Sequence, residues 1–185
     1  IEVEDAMQPI LLLGYHRPSV YHPDAAALNA ISDVLGSGRT CRLYKSMVKE
    51  KKIAVAVAAI AGLTEKYDNL YLFLAVPAQG HTTAECETAI LEELEKLKTE
   101  PLTAEELTAV KTRAKAAFLG GLASNSGLAQ QLADAEVRYA DYRQMFTRVA
   151  KIEAIQTADI QRVAAEIFTK RNSTVAVIVP PAKAE

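Results

Sequence analysis

Residues 35–57 read LGSGRTCRLYKSMVKEKKIAVAV: a glycine-rich loop, a basic helix, then a small apolar strand. Two chemistries compete for that loop. A phosphate cradle needs GxxxxGK[ST] directly after a strand, so that backbone amides and a lysine meet the anion. Here Gly36-Ser37-Gly38 follows the helical spacing of Leu28, Ile31 and Leu35, and no Lys-Ser/Thr pair directly follows a glycine. The stretch therefore predicts helix punctuation, with Gly36 as a C′ residue of positive φ and Thr40 or a neighbour capping the next helix.

Working outward, short apolar runs bounded by Gly, Pro, Asp or Asn predict strands at Ile10–Tyr15, Ile53–Leu63, Leu70–Val76 and Thr174–Val179. The polar TEKYDN joins the second and third as a hairpin connection. Helices fill the rest. Thr82-Thr-Ala-Glu85 and Thr103-Ala-Glu-Glu106 match the capping box, and Pro101 separates the two helices they start. Apolar stripes follow at Cys86, Ile90, Leu94, Leu97; at Leu107, Val110, Ala114, Phe118, Gly121; at Leu128, Leu132, Tyr139; at Tyr142, Met145, Val149, Ile152; and at Ile160, Val163, Ala164, Ile167. Helices in blocks, not alternating with strands, predict an α+β fold.

Bulk composition narrows the function classes. The chain has 185 residues, 50% hydrophobic and 24% charged, with a formal net charge of −2. That balance carries no footprint for nucleic acid, and no apolar run is long enough to span a bilayer. The opening IEVEDAM reads as residual interdomain linker over 1–7, with one domain over 8–180 and a tail over 181–185.

Catalytic motifs are missing. The histidines His16, His22 and His81 show no HExxH or HxxEH spacing, and Cys41 and Cys86 show no CxxC. The cysteines read as buried or half-buried thiols rather than a disulfide or redox pair. No GxSxG elbow occurs, and the pairs Glu92-Glu93 and Glu105-Glu106 read as solvated helix surface. From the residues alone, no catalytic or metal residue is assigned.

Several stretches in order nevertheless resemble one family. HPDAAALNAISDVLGSGRTCRLY is similar to an "HPD…L…LLGGG…SRLY" pattern, and AVAVAAIAGLTEKYDNLYLFLAVPA to the strand, turn and strand that follow it. PLTAEELTAVKTRA and TADIQRVAAEIFTKRNSTVAVIVP resemble its later helix start and closing strand. The family is the M16 (pitrilysin, insulinase, mitochondrial processing peptidase) zinc metallopeptidases, and the resemblance is to their C-terminal, non-zinc domain over roughly residues 8–180.

The resemblance implies a mixed, mainly antiparallel sheet with helices packed on one face. It implies that zinc sits in an N-terminal catalytic domain of the parent, bound by HxxEH and a later Glu, with this domain as the opposite wall of the substrate chamber. The motif's Glu would act as general base toward zinc-activated water, and the peptide would add as a strand to an edge of the catalytic domain. A bacterial periplasmic or envelope location is implied by relatives. Active relatives carry an Arg in the helix after SRLY and a Tyr at the start of the next strand; laid on Cys41-Arg42-Leu43-Tyr44, these fall on Val48 and Val55. Neither side chain can donate a hydrogen bond. A partner M16 subunit could supply the Arg/Tyr pair; the parent could be a non-catalytic scaffold or interaction subunit; or the chain could be a stand-alone ligand-binding domain.

Overall fold

Alternation in ILLLGYHR puts Leu11, Leu13, Tyr15 and Arg17 on one side of a strand, and in NLYLFLAVP it does the same for Tyr71, Phe73 and Ala75. The computed structural model describes residues 2–4, 8–62 and 66–180. Its strands are β1 (Glu2–Glu4), β2 (Ile10–Arg17), β3 (Ala54–Ile60), β4 (Asn69–Pro77) and β5 (Ser173–Val179). Its α-helices are α1 (Ala25–Gly36), α2 (Thr83–Thr99), α3 (Ala104–Gly121), α4 (Asn125–Tyr139), α5 (Gln144–Ala154) and α6 (Thr157–Ile167).

The strands form one sheet in the order β1-β5-β2-β4-β3. β2 runs antiparallel to both neighbours, with Leu13 opposite Phe73 and Val175, and β3 is antiparallel to β4. Only β1 is parallel, with Val3 opposite Ile178. The sheet is thus mixed and mainly antiparallel, as the resemblance implied. The stretch 1–7 was expected as linker, yet it contributes β1. The rest of that stretch, the tail 181–185, and Leu63, Thr64 and Glu65 of the expected strand and turn lie outside the described residues.

One face of the sheet builds the core. Leu11, Leu13, Tyr15, Tyr71, Phe73 and Ala75 are all buried, under α1, α2 and α6. Phe168, just past α6, sets its ring against Tyr15 and Tyr71 at 5.1 Å each and against Phe73 at 5.8 Å. Such pairs add about 0.5–1.5 kcal/mol each beyond burial. On the other face Leu12, Leu72, Leu74 and Ile178 stay half-buried. Both expected capping boxes form, Thr82 with Glu85 and Thr103 with Glu106, and a third forms at Gln156 with Asp159.

The opening loop corrects its own reading. Gly36 is the last residue of α1 and has no positive φ; the left-handed glycine is Gly38, at +73°. Gly36 is needed for space instead, since a Cβ there would lie 2.4 Å from Ala59 N and 2.5 Å from Ala59 Cβ. Thr40 caps nothing; its neighbour Cys41 accepts the Tyr44 N–H on sulfur at 3.4 Å. The following turn then widens to π pitch over Tyr44–Glu50, with Lys51 N–H donating to Ser46 O at 2.9 Å. Lys52, at φ 55°, ends it.

Arg42 joins this corner to the helical layer. Its Nε and Nη2 donate to Glu106 Oε1 and Oε2, each at 2.8 Å. The same Glu106 accepts Thr103 N–H at 3.0 Å as the capping carboxylate of α3. Beyond that point the expected stripes bury little: Val110 of α3, Ala135 of α4 and Met145 of α5 are enclosed. Leu119, Val137 and Phe146 are more than 60% exposed.

Gly36→Ala is expected to cost about 1–3 kcal/mol in urea unfolding, because backbone must move. Gly38→Ala, with open space around it but φ +73°, is expected to cost about 1 kcal/mol. Arg42→Ala is expected to cost about 2 kcal/mol by leaving a half-buried carboxylate without its cation. The Arg42 hydrogen bonds hold Glu106 below the ordinary 4.5. Their contribution is therefore full above that value and is lost as pH falls through the lowered one. The gap between wild-type and Arg42→Ala urea midpoints should narrow as the solution is acidified below pH 4.5.

Candidate functional site

The resemblance points first to Val48 and Val55. Val48 lies on the widened turn, half-buried and packed against the core. Val55 lies at the start of β3 and is 61% exposed. It falls within a register irregularity, since Ala54 pairs with Pro77 and Ala56 with Val76. The corner thus aims one of the two positions at solvent and turns the other inward.

β3 ends the strand order, with β4 as its only strand neighbour among the described residues. Its sequence AVAVAAI holds no charge and no proline over 7 residues. The opposite edge strand, β1, has 3 residues, EVE. Short charged edges discourage strand addition, and long uncharged ones accept it.

The possible metal donors are dispersed. His16 is exposed at the end of β2, while His22 accepts Asp24 N–H on Nδ1 at 3.2 Å before α1. His81 sits 3.3 Å from Glu85 at the start of α2. No group of three or more His, Cys, Asp or Glu comes together among the described residues, so this donor set does not fit a zinc site. Cys41 and Cys86 are buried and unbridged, as read from the sequence. Burial pushes the Cys86 thiol up to about 11 and raises Cys41 as well, which suppresses the nucleophilic thiolate.

The acidic pairs divide. Glu92 pairs with Lys51 at the surface, and Glu105 is exposed. Glu93, read as surface, is 5% exposed and held by Lys96 Nζ at 2.7 Å. Glu106 is committed to Arg42.

A second concave region was not foreseen. A cavity of about 980 Å³ opens among α1, α3, α4, α5 and the start of α6. Its lining comes from segments scattered between Val20 and Arg162, and no local motif announces such a set. The surplus of alanine on the facing sides of α1 and α3 is the one signal the sequence holds. No helix among the described residues is long and apolar enough to cross a membrane.

Residues 1–114 match the family described as the peptidase M16 inactive domain. Over 173 residues the chain is 31% identical to zinc protease PqqE of Helicobacter pylori, which covers 91% of this chain and 37% of that protein. A solved protease structure from Helicobacter pylori superposes with a TM-score of 0.89 at 28% identity, over 97% of this chain and 43% of its own. An inactive peptidase domain from Bordetella parapertussis superposes with a TM-score of 0.83 over 99% of this chain and 97% of its own; at 23% identity that likeness concerns the fold. The chain spans less than half the length of both Helicobacter proteins. With its mixed sheet and its dispersed donors, the chain belongs to the M16 peptidase family, as the inactive C-terminal domain of that family's zinc proteases.

Proposed function

We propose that this chain is the non-zinc half of a zinc metallopeptidase and forms the wall of the substrate chamber opposite the catalytic domain, in proteolysis of peptides or proteins. The observation that carries the reading is the β3 edge: seven uncharged residues with Val55 exposed at the start. An extended polypeptide approaching that edge meets a strand with one strand neighbour among the described residues and uncharged, mostly small side chains. The zinc belongs, on this reading, to the N-terminal domain of the parent.

Val48 and Val55 favour one further step. They stand where active relatives carry the Arg and Tyr, and neither valine stabilises a developing oxyanion. A second M16 subunit bearing that pair is therefore the proposed partner, in a dimer at the bacterial periplasm or envelope. A scaffold without catalysis is the competing reading, and the parent's own zinc content decides between them.

The test uses the full-length parent and the parent lacking this domain. Deletion should leave zinc content unchanged, measured by atomic emission, while peptide kcat/KM falls at least roughly tenfold. Unchanged kcat/KM on deletion overturns the chamber-wall reading, and a zinc-free parent establishes the scaffold. Full peptidase activity without a co-expressed M16 partner refutes the partner proposal.

A further inference from the structure

The cavity on the helical side has a volume of about 980 Å³, at the top of the roughly 300–1,000 Å³ range of small-molecule sites. Ala26 and Ala30 of α1 face Ala114 and Ala117 of α3 and Ala135 of α4 across it. Short side chains leave that space unfilled, and ion pairs at the rim hold the helices in place. Arg113 of α3 grips Asp33 near the end of α1, with Nε 2.8 Å from Oδ2. Arg162 of α6 grips Asp24 at the start of α1, with Nη1 3.1 Å from Oδ2. The Tyr21 ring closes one side, edge-on to Tyr139 at 6.1 Å, with its hydroxyl donating to Arg138 O.

The lining sets the cations Arg113, Arg138, Arg148, Lys151 and Arg162 against the carboxylates Asp24, Asp33, Asp134 and Asp159, an excess of one positive charge. Asp24 and Asp33 are spent on the two rim arginines. Among the described residues Asp134 and Asp159 have only neutral donors, Gln130 Nε2 at 2.8 Å and the Gln156 N–H at 2.8 Å, and so count against the cations of the lining. Arg148 and Lys151, one turn apart on α5, line the same space with no carboxylate partner among the described residues. Among the described residues Lys151 reaches Gln144 Oε1, at 3.3 Å, and the Tyr139 ring. Asn29 of α1 also lines the cavity, its carboxamide making no hydrogen bond among the described residues. Two cations, one amide and an apolar floor therefore converge on one concave space.

We propose that this groove binds a short peptide by its free C-terminal carboxylate. Arg148 and Lys151 pair with the carboxylate, Asn29 meets the last peptide amide, and the alanine floor receives an apolar side chain. Charge-assisted hydrogen bonds of this kind are roughly twice as strong as neutral ones. The choice of a peptide over another amphipathic acid rests on the peptidase reading, because every cut creates a new C-terminal carboxylate.

The test is isothermal titration of the 185-residue chain with N-acetyl-Ala-Leu-Phe, with the same peptide as its C-terminal amide, and with decanoate. The free acid should bind, and the amide should bind at least roughly tenfold more weakly. The double variant Arg148→Gln/Lys151→Gln should abolish that difference without moving the thermal midpoint, both side chains being exposed. Ala117→Trp, at an exposed floor position, should block the acid by filling the groove. Equal binding of acid and amide, absence of heat at millimolar peptide, decanoate binding in place of the peptide, or a double variant that keeps the preference each overturns the proposal. Hydrolysis by the full-length parent, co-expressed with an M16 subunit that carries the Arg/Tyr pair, is measured separately. Hydrolysis without acid-selective binding sinks this site and leaves the peptidase reading; acid-selective binding without hydrolysis does the reverse.

Discussion

Helix α1 ends with its backbone pressed against the backbone of β3, and only a residue without a side chain permits that approach. The contact sets how closely the helical layer sits over the far end of the sheet. Because backbone meets backbone, neither side can yield by changing rotamer. The chain then turns through Gly38, widens its next helical turn, and enters β3, whose Ala59 it has just packed against. Arg42 leaves the same corner to hold the start of α3. The stretch from Gly36 to Ala59 thus ties a helix, an edge strand and the second helical block to one another.

That corner divides the molecule into a dense half and a sparse half. α1, α2 and α6 bury nearly every apolar residue they turn toward the sheet. The layer of α3, α4 and α5 is held at its margins by ion pairs such as Arg113–Asp33 and Lys115–Glu153, and encloses open volume. Exposed pairs of this sort contribute about 0–1 kcal/mol each. The sparse layer owes its position more to the well-capped start of α3 than to packing along its length.

Strands and helices were legible where one period dominated, as in ILLLGYHR or in the box of Thr82 and Glu85. Gly36 was misread because the need for space and the need for positive φ look identical in a sequence; both appear as glycine after a helix. β1 was missed because three residues show no period, and its partner lies at the other end of the chain. The stripes of α3, α4 and α5 were visible, but a stripe does not say whether anything covers it. Val48 and Val55 were located by resemblance, and their opposite exposures came only with the widened turn between them. The cavity was invisible for a different reason: it is a property of helices brought together, and its alanines are ordinary helix formers one at a time.

The strand order also has a consequence in time. β2 is the middle of the sheet, yet one of its neighbours, β5, begins at Ser173. While the chain is being made, ILLLGYHR can pair with β4 on one side, and its other side stays open until the domain is almost complete. Closing so long a loop is a slow, entropy-limited event. Throughout that interval the central strand of the sheet presents an unpaired edge, which makes the nascent chain, more than the finished domain, the form most in need of protection from self-association.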